Sequence, residues 1–335
     1  MSDLPAASGP PVVVLGVSRS GTTLLKEMLD HHSELAIPPE SYFLLPLWDR
    51  FRARRDLEKL LVDLTYVVQV REWGVGTDEV RARLPRNAGF PDVIRTIYEC
   101  YAESRGKRRF GDKTPLYMWH LDLLEHAFSR PGYVHIVRDG RDAALSYAAM
   151  PEGHRSGWMW PRGLADFACR WRSQVERARR FGSAVGPDRF VELRYEDLVA
   201  EPAKTLREVC ARIGLSYEDS MLDYHRDHDF SEGRLANHPR LAEPPSPGGR
   251  SWREQMRPAD VERFEAVAGD LLGKLGYECA FPRPRGGCAQ GGSSTGPRRW
   301  ARPRPCGSPC PWLDGSPLGA GSNRESCVGP DFRNR

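Results

Sequence analysis

The sequence predicts an α/β fold with a P-loop-type central, mostly parallel sheet flanked by helices, in one domain over residues 1–281. Three observations carry this. Val12-Val13-Val14-Leu15 is an unbroken β-branched run that leads into a glycine-bounded turn and then a helical apolar stripe. Strand, tight loop and helix in that order open a parallel α/β unit, and continuous apolar strands suit a sheet covered on both faces. Tyr133-Val134-His135-Ile136-Val137 repeats the strand pattern, and Phe190-Val191-Glu192-Leu193-Arg194-Tyr195 supplies another strand. The third observation is where the fold should stop. From Pro282 to Arg335 there are nine Pro, ten Gly and six Ser but few large aliphatics. Such a segment cannot bury enough apolar surface to offset its chain entropy, so 282–335 is expected to be a disordered tail.

In chain order, Leu24, Leu25, Met28 and Leu29 form the stripe of the first helix, with Lys26, Glu27 and Asp30 expected outward. His31-His32 closes that helix. Pro38-Pro39 forbids its continuation and leads into Glu40-Ser41-Tyr42-Phe43. Residues 50–106 read as helical, with Val67, Val68, Val93, Ile94, Ile97 and Tyr98 as core contacts. Arg109 to Pro115 reads as a short strand ending in a loop, and Leu121, Leu123, Leu124 and Phe128 mark a helix. Another helix follows the Tyr133–Val137 strand from about Ala143. Trp158, Trp160 and Trp171 make the next segment tryptophan-rich. These three and Tyr147 are expected in the core, with the lining of an acceptor pocket as the alternative. Leu206, Val209, Cys210 and Ile213 place a helix from Pro202, residues 223–250 read as a long loop, and a last helix spans about Pro258 to Leu275.

Composition narrows the function classes. The chain has 335 residues, 49 basic and 45 acidic, a net charge of +4 and a mean hydropathy of −0.55. The tail holds nine Arg against Asp314, Glu325 and Asp331, which is +6, so residues 1–281 carry −2. A faintly acidic domain lacks the broad cationic face that phosphate tracking needs, and no nucleic-acid partner is expected. No run of about 18 apolar residues exists, so no membrane-spanning segment is expected. The N-terminus lacks a basic and apolar leader, which points to the cytoplasm. Cys100, Cys169, Cys210 and Cys279 are scattered singly and read as reduced thiols. Cys306-x3-Cys310 has no companion His or Cys pair, and Asp223 to Asp229 reads as a polar loop; no metal site is expected. Oligomeric state is left open.

Gly16-Val17-Ser18-Arg19-Ser20-Gly21-Thr22-Thr23 has the spacing of a phosphate-binding loop, G-x4-G-K-[ST], with Thr22 at the lysine position. The backbone of such a loop and the helix behind it hold an anion whatever the side chains, but the lysine is what reaches a γ-phosphate. Its loss argues against nucleoside-triphosphate hydrolysis, while Arg19, Ser20, Thr22 and Thr23 still supply donors to a phosphorylated ligand. In a second segment, Arg138 ends a strand and Ser146 follows eight residues later. Arg138 can fork onto a phosphate or pair with nearby Asp139 or Asp142.

The loop G-V-S-R-S-G-T-T-L-L resembles the 5′-phosphosulfate loop of sulfotransferases that use 3′-phosphoadenosine-5′-phosphosulfate (PAPS). The segment from Val134 to Ser146 resembles the 3′-phosphate element of the same family, and the resemblance covers about residues 10–280. It implies PAPS as sulfuryl donor, adenosine 3′,5′-bisphosphate as product, and Arg19, Ser20, Gly21, Thr22, Thr23, Arg138 and Ser146 as nucleotide contacts. Tyr195, Arg250 and Ser251 are looser matches to further nucleotide contacts. Cytosolic members often carry the catalytic His in a K-T-H motif; here Lys113-Thr114-Pro115 puts proline at that place. Pro38-Pro39-Glu40-Ser41 instead resembles the segment carrying the catalytic Glu of the tyrosylprotein-sulfotransferase branch, which also has a Lys matching Lys113. Glu40 is therefore expected to be the general base, with Lys113 and Arg19 stabilising the bridging oxygen. A hydroxyl or amine on a small-molecule, glycolipid or natural-product acceptor is expected. The alternatives are a P-loop kinase, which lacks a clear Walker B strand here, and a non-catalytic nucleotide-binding protein.

Overall fold

The computed structural model describes residues 9–150, 161–226, 238–248 and 250–281. Five strands, β1 (Val12–Leu15), β2 (Leu35–Ala36), β3 (Arg109–Asp112), β4 (Gly132–Val137) and β5 (Phe190–Arg194), form one sheet in the order β2-β3-β1-β4-β5. Every pairing is parallel, with Val12 opposite both Gly111 and Gly132, Leu35 opposite Arg109, and Val137 opposite Arg194. Among the described residues the helices are α1 (Thr22–Asp30), α2 (Leu44–Arg54), α3 (Leu57–Thr65), α4 (Val68–Glu72), α5 (Thr77–Arg83), α6 (Phe90–Ser104), α7 (Leu121–Phe128), α8 (Gly140–Ala148), α9 (Leu164–Val185), α10 (Tyr195–Ala200), α11 (Pro202–Ile213), α12 (Trp252–Gln255) and α13 (Pro258–Lys274).

The alternation along β1 explains its composition. Val13 and Leu15 pack with α2, α3, α6 and α7, whereas Val12 and Val14 face α1 and α11, so every residue of the strand is apolar and buried. A third cluster joins α8, α9 and α13 through Tyr147, Phe167, Trp171, Phe264 and Leu272.

Parallel strands place all five carboxyl ends on one edge of the sheet. β1 leads directly into Gly16, β3 into Lys113, β4 into Arg138 and β5 into Tyr195, and Glu40 follows four residues after β2. Ligands of open α/β sheets bind at this edge, where the strand order switches direction, here on the two sides of β1.

Several expectations need correction. Lys26 and Glu27 are buried rather than outward; Lys26 Nζ meets Glu27 Oε2 at 3.3 Å and Asp30 Oδ2 at 2.7 Å, so the first helix hides an ion-paired edge. Val68 is 45% exposed and is no core contact. The two-residue β2 and the 22-residue α9 are not expected from the sequence; α9 carries five arginines and two acids beside its buried apolar side. The helix expected from Ala143 begins at Gly140, because Asp139 caps it by accepting from the Arg141 N–H at 2.9 Å. His31 does close α1, its backbone N–H bonding to the carbonyls of Glu27 and Leu29. The four described cysteines are free. Among the described residues, no helix is long and apolar enough to cross a membrane. The expected tail (282–335), Trp158, Trp160 and Asp227 to Asp229 lie outside the described residues.

Candidate active site

The loop after β1 folds as a nest. Arg19 takes φ +73 and Gly21 φ +93, two left-handed residues that turn successive N–H groups inward. The Ser20 N–H reaches the Val17 carbonyl at 3.0 Å, and α1 starts at Thr22 with neither a side-chain cap nor an acidic residue in its first turn. The positive end of the helix is therefore open to an anion. Gly21 is constrained twice: a Cβ there would lie 2.4 Å from Tyr195 Cδ2, and its φ disfavours any side chain. Gly21→Ala is expected to cost about 1–3 kcal/mol, read as a lowered urea midpoint at unchanged m-value.

The structure brings the two nucleotide segments together. Arg19 Nε donates to Ser146 Oγ at 3.1 Å, and Arg138 Nη1 donates to the Arg19 carbonyl at 3.2 Å. Tyr195 holds its ring under the Arg138 guanidinium, 4.3 Å from centroid to Cζ. Burial, then Arg138 and Arg250, lower the Arg19 guanidinium to about 10. Three clustered guanidiniums repel one another, and an anion bound among them relieves that cost. Two buried polar atoms here have no hydrogen-bond partner, Ser20 Oγ and Arg138 Nε. Buried donors are normally satisfied, so both can take a ligand oxygen as partner.

The alternative partners of Arg138 are taken. Asp139 pairs instead with Arg141 at 2.6 Å, and Asp142 Oδ1 accepts the Trp252 N–H at 2.7 Å. Among the described residues no carboxylate lies within ion-pair distance of Arg138. The Asp142–Trp252 bond fastens the late loop to α8. It brings Arg250 to the rim, while the Ser251 carbonyl accepts from the N–H groups of Glu254 and Gln255 at the start of α12.

On the other side of the loop, Lys113 is buried and its Nζ lies 3.3 Å from Thr23 Oγ1 while also donating to Glu40 Oε1. Glu40, four residues beyond a two-residue strand, is thereby placed against the mouth of the phosphate loop. Tyr42, missed in the sequence, donates its hydroxyl to the other oxygen of Glu40 from a backbone with φ +51. The only hint was its position two residues after Glu40. Trp171 is a core residue, buried against Phe264. Tyr147 donates to the Pro161 carbonyl at 2.7 Å and lines a cavity of about 370 Å³ with Ala144, Leu164 and Phe167.

A family model described as the Sulfotransferase family matches residues 10–219, a span that takes in the loop, Glu40, Lys113, Arg138 and Tyr195. The chain belongs to the sulfotransferase family. Nodulation protein NoeE of Sinorhizobium fredii is 24% identical to this sulfotransferase over 311 residues, covering 81% of this chain and 67% of NoeE. Protein-tyrosine sulfotransferase 1 of Danio rerio is 24% identical over 281 residues, 80% of this chain and 72% of its own. Omega-hydroxy-beta-dihydromenaquinone-9 sulfotransferase Stf3 of Mycobacterium tuberculosis is 26% identical over 321 residues, 82% of this chain and 77% of its own. The sulfotransferase domain from the curacin biosynthetic pathway shares the fold, with a TM-score of 0.57 and 21% identity over 83% of this chain and 99% of that one. This sulfotransferase is thus an enzyme of sulfuryl transfer, and the kinase and non-catalytic alternatives give way.

Proposed function

We propose that this sulfotransferase takes its sulfuryl group from PAPS and delivers it to a hydroxyl, or an amine, of a small-molecule, glycolipid or natural-product acceptor. The observation that supports this donor most is the pair of unsatisfied buried donors, Ser20 Oγ and Arg138 Nε, in a pocket of three arginines. One belongs to the loop after β1 and the other to the residue after β4, two separate segments for the two phosphate groups of one nucleotide. The loop Gly16–Thr23 with the α1 terminus holds the 5′-phosphosulfate; Arg138 and Ser146 hold the 3′-phosphate; Tyr195, Arg250 and Ser251 close over the nucleotide. A γ-phosphate has no lysine to meet it, because Thr22 stands there.

PAPS supplies an activated sulfuryl group on a phosphate leaving group. The protein's part is to place acceptor and sulfur in line and to match the charge that develops on the bridging oxygen. Glu40 takes the acceptor proton. Lys113 stands between Glu40 and Thr23, so one ammonium touches both the base and the loop that carries the leaving group. Arg19 supplies the second cation.

Adenosine 3′,5′-bisphosphate is expected to raise Tm by several degrees at concentrations well above Kd, whereas ATP with Mg2+ is expected to leave it unchanged. The reverse pattern would overturn the donor assignment. Arg138→Ala is expected to weaken adenosine 3′,5′-bisphosphate about 10- to 100-fold by isothermal titration, with kcat at saturating PAPS within about threefold.

A further inference from the structure

Beside the Glu40–Lys113 pair lies a wholly buried polar cluster. Asp112 ends β3, and its Oδ2 accepts from Tyr98 Oη of α6 at 2.7 Å, Ser41 Oγ at 2.9 Å and Thr114 Oγ1 at 3.3 Å. Ser41 Oγ also lies 2.9 Å from Tyr117 Oη. The cluster holds two backbone donors of the segment that carries Glu40: the Ser41 N–H reaches Thr114 Oγ1 at 3.0 Å and the Leu44 N–H reaches Tyr117 Oη at 3.1 Å. Burial raises the Asp112 carboxyl to about 6, and the three hydroxyls that donate to it act in the opposite direction. An apolar cluster of similar volume would cost less to bury. A connected polar network instead fixes one geometry.

What it fixes follows from the sequence neighbours. Ser41 adjoins Glu40, and Asp112 and Thr114 flank Lys113 on both sides. Residues 37–43 form no helix or strand, and Tyr42 sits in left-handed backbone. The segment is held by side-chain acceptors instead of a strand ladder: Asp30 takes the Ile37 N–H at its start, Thr114 the Ser41 N–H, and Tyr117 the N–H of Leu44 where α2 begins.

We propose that Asp112 is a positioning residue which, through Ser41, Thr114 and Tyr117, sets the placement of Glu40 relative to Lys113 and the phosphate loop. The proposal rests on the reading of Glu40 as general base. A misplacement of about 1 Å can cost about 100-fold in rate, so loss of the network appears in kcat rather than in nucleotide binding.

The test compares full-length wild type, Asp112→Ala, Asp112→Asn, Glu40→Gln and the double variant Glu40→Gln/Asp112→Ala. Each is assayed with PAPS and the phenolic probe naphthol, and titrated with adenosine 3′,5′-bisphosphate. Asp112→Ala is expected to lower kcat about 10- to 100-fold while nucleotide affinity stays within about threefold. Asp112→Asn keeps a carbonyl for the three donors and is expected to recover kcat to within about fivefold of wild type. In the residual activity of Glu40→Gln, adding Asp112→Ala is expected to cost less than about twofold, since it acts through the group already removed. Unchanged kcat in Asp112→Ala, a matching loss of nucleotide affinity, or full multiplication with Glu40→Gln overturns the proposal. Near-normal turnover by Glu40→Gln overturns the base assignment and this proposal with it; an inactive Glu40→Gln beside an unaffected Asp112→Ala overturns this proposal alone. Should Asp112→Ala fail to fold, Ser41→Ala, which leaves the carboxylate and its Tyr98 and Thr114 donors, is expected to lower kcat about fivefold, and wild-type kcat there overturns it.

Discussion

Glu40→Gln is expected to lower kcat about 100- to 10,000-fold, the usual worth of a general base, with adenosine 3′,5′-bisphosphate affinity unchanged. The substitution keeps the shape of the side chain and removes its ability to take a proton. Its two oxygens are the meeting point of Lys113 Nζ and the Tyr42 hydroxyl, and Lys113 also touches Thr23 on the phosphate loop. With the donor held as proposed, an acceptor hydroxyl that approaches the sulfur has Glu40 as a carboxylate in reach. A rival role exists, in which Glu40 only neutralises Lys113. It predicts a different pattern: Glu40→Gln would free the ammonium for the leaving oxygen and kcat would hold or rise. Initial rates with radiolabelled PAPS and naphthol separate the two, and an undiminished kcat removes Glu40 from the proton transfer.

The strands and the phosphate loop were legible because one physical rule governs each. Val12–Leu15 and Tyr133–Val137 are buried on both faces and so carry unbroken apolar runs, and the loop after β1 needs glycines where Thr22, Ile136 and Tyr195 crowd the backbone. Parallel order then put Lys113, Arg138 and Tyr195 on one edge without further information. β2 was not legible, because two residues cannot show a period. α9 escaped for another reason: Phe167, Trp171 and Val175 do share one buried side, but five arginines and two acids make the helix polar on average. Lys26 and Glu27 looked like a solvated face because their mutual pairing, which allows burial, leaves no mark in hydropathy. The Asp112 cluster joins residues 112, 114 and 117 to residues 41 and 98, and only the folded sheet edge brings these three segments together.

Arg141 and Arg138 stand three residues apart in Arg138-Asp139-Gly140-Arg141-Asp142, and the structure assigns them opposite tasks. Arg141→Ala is expected to cost about 3–5 kcal/mol of stability, because removing one partner of a buried pair leaves the other charge uncompensated. Its guanidinium is 1% exposed and donates to Asp139 at 2.6 Å, to Glu265 of α13 at 2.5 Å and to the Glu278 carbonyl at 2.8 Å, with the Trp252 ring stacked 3.6 Å away. Glu265, also 1% exposed, accepts as well from the Ala280 and Phe281 N–H groups, so one side chain ties α8, α12, α13 and the 278–281 segment together. In a domain of this size the loss corresponds to a Tm lower by about 10 °C, with a lower urea midpoint at similar m-value. Arg138→Ala supplies the contrast. It breaks no ion pair among the described residues and relieves repulsion with Arg19, so its stability is expected to stay within about 1 kcal/mol of wild type while nucleotide affinity falls. Equal destabilisation by both substitutions would show that Arg138 belongs to the clamp as well, and would remove the reason for reading its unsatisfied Nε as a phosphate contact.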